Sequence, residues 1–298
     1  MRLSRTERTV QVVIYVLLTL LAFLTLYPFW NSLVISFNLG SDTSLGGITF
    51  WPRAFTWENY EVVLRDHRIA QAFVVSVART VAGTALSILA TAVFSYGMSK
   101  TELAGRKYYM IFCIVTLYFN GGLIPYFLLI HGLGMMNTFW VLIVPGAISI
   151  WNMIIFRTFF KEMPAGLEES AKIDGCGHFG TFFRIVLPLS GPVIASLSLF
   201  VAVNLWNDWF TATLFINNPK LVPIQSLLQE IMNANTVTEQ LRSQGGSNFL
   251  DKIFQARTVT TKSLTMATMM VTTLPIIAVY PFVQRHFVKG VLVGSLKG

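Results

Sequence analysis

The chain has 298 residues, 54% of them hydrophobic and only 12% charged, with a mean hydropathy of +0.61. Soluble domains carry about a quarter charged residues, so this much apolar side chain cannot be covered in water, and the composition specifies a polytopic membrane protein. A net charge of +8 does not signal nucleic acid here, because the basic residues sit at the ends of apolar segments and form no stripe interleaved with aromatics.

Arg2, Arg5 and Arg8 precede an apolar run from Val10 to Leu26, as in a signal peptide. The run is long, however, and Tyr27-Pro28-Phe29-Trp30-Asn31 follows where small cleavage-site residues would fall, so it reads as an uncleaved first span. Six stretches are long enough to cross about 30 Å of hydrocarbon as helices: approximately 10–37, 70–98, 108–130, 138–160, 189–209 and 264–283. No water is present at that depth to satisfy backbone groups, which leaves helix as the only conformation for such runs. The expected fold is therefore all-α, in a single membrane domain covering 1–298.

Orientation follows from lysine and arginine. With a cytoplasmic N-terminus, the inner segments hold Arg2, Arg5, Arg8, Lys100, Arg106, Lys107, Arg157, Lys161, Lys172, Arg184, Arg285, Lys289 and Lys297. Fewer basic residues lie outside, spread over two long loops, so both termini and the segment 164–188 are expected inside. The outer loop 38–69 carries Trp51-Pro52 and Trp57 as interfacial anchors and a short helix near Trp57–Leu64. The outer loop 210–263 places Leu227, Leu228, Ile231 and Met232 at helical spacing before a turn-rich Ser243–Ser247. A loop of that length suits a docking surface for a soluble partner.

Between the fourth and fifth spans lies a polar, glycine-broken interruption. Pro164 opens a short helix, and Asp174-Gly175 and Gly177 stop it, since glycine readily takes the left-handed conformation of helix ends. Ala171 and Gly175, one turn apart, are expected to form a bare face where another protein approaches, with Glu168, Glu169 and Lys172 beside it. Phe179, Phe182, Phe183 and Val186 then recur as an apolar stripe, the pattern of a helix lying in the interface. Leu187-Pro188 is expected to break that helix, because a residue preceding proline is pushed out of the α region.

Polar groups at membrane depth are costly and mark pathways by default. Arg79 lies in the second span, Asn152 in the fourth, and Asn204, Trp206, Asn207, Asp208 and Trp209 crowd the outer end of the fifth. Aromatic faces beside amides and carboxylates suit sugar rings, although Asn and Trp are also ordinary interfacial residues. No Walker-type phosphate loop, H-E-x-x-H pair or G-x-S-x-G elbow occurs, and His67, His131, His178 and His286 lie on four different segments. Neither a catalytic nor a metal site is expected, and Cys113 and Cys176 imply neither a disulfide framework nor a metal.

The interruption resembles the EAA motif of the membrane subunits of binding-protein-dependent ABC importers. Glu169, Ala171, Gly175, Ile185, Leu187 and Pro188 fall on its positions in register, with Ser170 replacing the middle alanine. Phe119–Pro125, Asn137–Trp140, Trp206–Phe210 and Tyr280–Gly290 are similar to the carbohydrate class, in particular the oligosaccharide and polysaccharide branch that includes importers of uronate polymers such as alginate. The resemblance implies a type I importer permease fold with six transmembrane helices and a cytoplasmic coupling helix, in a bacterial inner membrane. It implies coupling to an ATPase subunit through Glu168, Glu169, Ser170, Ala171, Lys172, Asp174, Gly175 and Gly177, with the tail Gly290–Gly298 reaching towards the ATPases. The implied partners are a second permease, two ATPase subunits holding ATP and magnesium, and an extracytoplasmic sugar-binding protein. No cofactor is implied on this chain. The competing readings are an integral membrane enzyme acting on lipid or glycan through Asp208, and an ion-coupled carrier, against which the poverty of buried carboxylates speaks.

Overall fold

A computed structural model describes residues 5–243 and 259–295, and among them all regular structure is helical. The turn-rich stretch at 244–247 and the last residues of the tail, 296–298, lie outside the described residues. Helices α1 (Arg5–Ser36) and α3 (His67–Ser99) are unbroken, and each is long and apolar enough to cross a bilayer. A short α2 (Glu58–Arg65) occupies the place expected for it between them.

The third and fourth expected spans are interrupted. Residues 108–130 form α4 (Arg106–Tyr118) and α5 (Leu123–Gly132), bent by 114°. Asn120-Gly121-Gly122 makes the corner: the Gly122 amide donates to Asn120 Oδ1 at 2.9 Å, and Gly122 has φ +91, a region costly for any residue with a Cβ. Within 138–160 only a 3-10 turn, Phe139–Leu142, precedes Pro145-Gly146, and α6 (Ile150–Glu162) starts behind a Ser149 cap whose hydroxyl accepts from the Asn152 amide. The irregular backbone here is satisfied from α3, where the buried Thr91 hydroxyl accepts from Ser149 N at 3.2 Å and donates to Ala147 O at 3.4 Å.

The coupling segment is α7 (Ala165–Ile173) followed by α8 (His178–Leu189), then α9 (Gly191–Asn207). The expected break at Leu187-Pro188 does not occur. Residues Phe182–Val186 adopt a π-helical turn, and Leu187 keeps α geometry at φ −61, ψ −47. A π turn shifts the hydrogen-bond register by one residue and accommodates a proline without a clash one turn back. The chain bends instead at Ser190, by 81°. The expected interfacial stripe also divides: Phe182 and Val186 are 1% exposed and pack with Tyr96, Phe156 and Phe160, whereas Phe179 and Phe183 face outwards. Three further helices follow: α10 (Phe210–Phe215), α11 (Ile224–Ser243) and α12 (Thr261–Ser295). Counted by length and apolarity among the described residues, two helices qualify as spans, or four if each bent pair is one span, against the six expected. The Pro145-Gly146 break leaves α6 only 13 residues, about 20 Å.

Two units can be distinguished by their internal contacts: residues 1–70 with 228–274, and residues 71–227 with 275–298. In the first, the loop after α1 folds back along it. Trp30 Nε1 donates to Phe50 O at 2.9 Å and Asn31 Nδ2 to Ile48 O and Thr49 O at 3.0 Å, with Trp51 and Trp57 left exposed. Beside this lies a wholly buried polar knot, in which Asn59 donates to Ser36 O and Asn38 O, both at 2.9 Å, and accepts from Ser263 Oγ at 2.8 Å. Arg53 and Asn38 both reach Asp42, whose carboxyl is held below its usual range by the Asn38 amide first and Arg53 second. The second unit holds two apolar cores, one around Phe156, Phe160 and Phe182 and one around Ile130, Leu142 and Phe215. Substituting Asn59→Ala strands the carbonyls of Ser36 and Asn38 in a dry site, so it is expected to cost about 2–4 kcal/mol. A thermal melt of the purified protein against Asn59→Gln and wild type measures the loss.

Candidate functional site

Two features of the second unit carry the residues singled out from the sequence. The first is the α7–α8 hairpin. Asp174 is the C-cap of α7 and Gly175 follows at φ +80; Cys176 N donates to Ala171 O at 2.8 Å and Gly175 N to Lys172 O at 3.1 Å. This pair of bonds is the Schellman closure, and it needs the left-handed residue that glycine supplies. Gly177 is extended and caps α8. The face open to a partner is not the one expected. Ala171 is only 3% exposed, turned into its own chain, while Gly166, Glu169, Ser170 and Ile173 line the opposite, exposed side. Ile173 is 86% exposed, a large apolar side chain projecting from a helix otherwise small or polar on that face. Glu168 is paired with Lys100, and Lys172 lies 3.8 Å from Glu102, so both charges are engaged within the chain.

The second feature is a mainly apolar cavity of about 540 Å3, edged with amides and hydroxyls and walled by α3, the start of α6, and α9. It brings Asn152 and Asn204 to one space together with Ser87, Ser149, Trp151 and Phe200. Trp151 and Phe200 are 64% and 52% exposed, so two aromatic faces are presented beside amides and hydroxyls. That combination recognises polyhydroxylated rings: flat apolar faces stack, and amides donate and accept. Sequence reading missed the serines and Phe200, because nothing in an apolar helix marks which face turns towards a cavity. Ser149 did carry a signal as a helix cap after Pro145-Gly146.

The other candidates lie elsewhere. Arg79, 1% exposed, donates from Nε to Leu142 O at 3.2 Å and from Nη1 to Asp208 O at 2.7 Å, and its Nη2 pairs with the Asp208 carboxylate. Asp208 Oδ1 also accepts from Thr211 N at 3.1 Å, which fixes the joint between α9 and α10. Arg79 is thus neutralised and enclosed, a pin joining α3, the Phe139–Leu142 turn and the α9–α10 joint. Trp206 is buried edge-on against Phe73, at 5.8 Å between centroids, while Asn207 and Trp209 are exposed. Among the described residues, no group of three or more His, Cys, Asp or Glu side chains is placed to hold a metal.

An exposed hairpin between bent helices, beside a cavity edged with polar groups, is an arrangement that a transport subunit can use. Residues 73–293 match the family described as binding-protein-dependent transport system inner membrane component, and the chain belongs to that family. It is 38% identical over 292 residues to the polygalacturonan/rhamnogalacturonan transport system permease protein YtcP of Bacillus subtilis (strain 168), covering 98% of this chain and 99% of that protein. To the arabinooligosaccharides transport system permease protein AraQ of Halalkalibacterium halodurans it is 26% identical, over 93% of each chain. The fold is similar, at a TM-score of 0.85 and 25% identity over 96% of this chain and 99% of the other, to a bacterial ABC transporter chain involved in the import of the acidic polysaccharide alginate.

The Arg79 pin gives an asymmetric prediction. Asp208→Asn leaves an enclosed cation without its counter-ion and is expected to cost about 3–5 kcal/mol. Arg79→Met leaves Asp208, whose side chain is 30% exposed, and should cost less than Asp208→Asn. Melting curves of both variants and of the double variant in detergent check the order.

Proposed function

We propose that this chain forms half of the path by which an ATP-driven importer takes up an oligosaccharide or polysaccharide. The observation that carries the reading is the cavity in which Asn152, Asn204, Ser87 and Ser149 meet the exposed rings of Trp151 and Phe200. The sugar polymers named for YtcP and for the alginate importer support a polysaccharide fragment as cargo, uronate-containing ones included. In this reading a second permease supplies the opposite wall. An extracytoplasmic sugar-binding protein delivers the cargo, and two cytoplasmic ATPase subunits hydrolyse ATP, with no catalysis on this chain.

The face Gly166, Glu169, Ser170 and Ile173 is the part of α7 that enters an ATPase cleft, with Ile173 as its apolar anchor and Glu169 as its charge. The surplus of basic residues on the α7 side supports cytoplasmic termini in the bacterial inner membrane. Arg79 plays no part in meeting an anionic cargo in this reading, since its charge is already spent on Asp208.

The test is reconstitution of this chain with its second permease, ATPases and binding protein in proteoliposomes. Sugar-loaded binding protein is expected to stimulate ATP hydrolysis. Ile173→Asp or Glu169→Lys is expected to leave the chain in the membrane and lower uptake by about tenfold or more. Stimulation that survives both substitutions, or a purified chain that converts lipid or glycan alone, contradicts the proposal.

A further inference from the structure

If α7 is where an ATPase pushes, the push must reach the cavity, and two covalent and non-covalent routes exist within the second unit. The covalent route through α8 passes the Gly175 joint, the π turn at Phe182–Val186 and the 81° bend at Ser190 before it reaches α9. Each interrupts the regular helical ladder, so this route is not one rigid rod. Phe182 of α8 packs on Tyr96 of α3, at 5.2 Å between centroids, but at the polar start of α8 a cavity of about 380 Å3 lies against α3, lined by Val93, Tyr96, Lys100, His178, Phe179 and Phe182.

The second route runs from α7 straight to the end of α3 through an ion pair. Lys100 directly follows α3, and its ammonium is held between the Glu168 carboxylate of α7 and the Tyr96 ring, 4.1 Å from the ring centroid. The side chains are 22% and 23% exposed, so solvent screens the pair less than it screens the open Lys172–Glu102 pair. The inner end of α3 is itself fixed: Arg157 Nε donates to Met98 O and Arg106 Nη1 to Lys100 O, each at 3.1 Å. From there α3 runs without a break past Ser87, on the cavity, to Arg79, on the pin.

We propose that Lys100 and Glu168 form a strut through which displacement of α7 is delivered to α3, and by α3 to the cavity wall at Ser87 and to the Arg79 pin. Both are positioning residues, acting through α3 and touching no cargo. The inference rests on the importer reading above and adds to it the element that carries the motion.

The experiment is a double-substitution cycle in the full reconstituted complex, reading sugar taken up per ATP hydrolysed. Lys100→Met keeps the stem on Tyr96 and removes the charge; Glu168→Gln keeps the shape. Each alone is expected to lower uptake per ATP by about fivefold, and the double variant should be no worse than either single, because each removes the same contact. Independent effects that multiply, singles that match wild type, or loss in Glu168→Gln alone with Lys100→Met silent overturn the strut; the last result would mean that Glu168 acts on the ATPase directly. A second measurement covers variants that assemble poorly. With Cys113→Ala and Cys176→Ala, Lys100→Cys and Glu168→Cys are joined by a short bismaleimide. Retained uptake supports a link kept through the cycle, and blocked uptake overturns it. Failure of the importer reading is separately visible, as a wild-type complex whose ATP hydrolysis ignores loaded binding protein.

Discussion

A guanidinium enclosed among apolar helices needs partners for its charge and its donors, and Arg79 shows what that requirement builds. Its partners are a carbonyl of the Phe139–Leu142 turn and both the carbonyl and the carboxylate of Asp208, three groups from two distant parts of the chain. Removing the Asp208 carboxylate leaves that charge without its counter-ion. The positions of α3, the irregular fourth segment and the α9–α10 joint are therefore mutually fixed within this unit, and the cavity is the space their fixed positions leave.

The same accounting explains how so apolar a chain tolerates so many interruptions. At several places where the backbone leaves helical geometry a side chain takes over its bonds: Asn120 at the α4–α5 corner, Thr91 and Ser149 before α6, Asn31 and Trp30 beside the returning outer loop. Several of these residues were unremarkable as letters in an apolar run. Together they let a transport subunit keep bends that continuous helices would not allow.

The helical class, the two unbroken spans and the α7 hairpin were legible because composition, run length and glycine placement act locally. Asp174-Gly175 closes α7 for reasons contained in four residues. The interruptions at Asn120-Gly122 and Pro145-Gly146 also carried their breaker residues in plain view, but length and apolarity outweighed them in the reading of six continuous spans. What could not be read was direction. Ala171 turns inwards and Ile173 outwards, and Arg79 meets Asp208 rather than a cargo, because each outcome depends on residues far away in sequence. The Pro188 expectation failed for a related reason, since a preference of the pre-proline residue is small against a π turn that packing of Phe182 and Val186 makes worthwhile.

The first helix has one more implication. Among the described residues, none of the apolar window of α1 is buried, although its far end is tied to the returning loop through Trp30 and Asn31. A window that takes no packing from later residues can partition into lipid on its own hydrophobicity, without waiting for the bent segments whose turns depend on distant side chains.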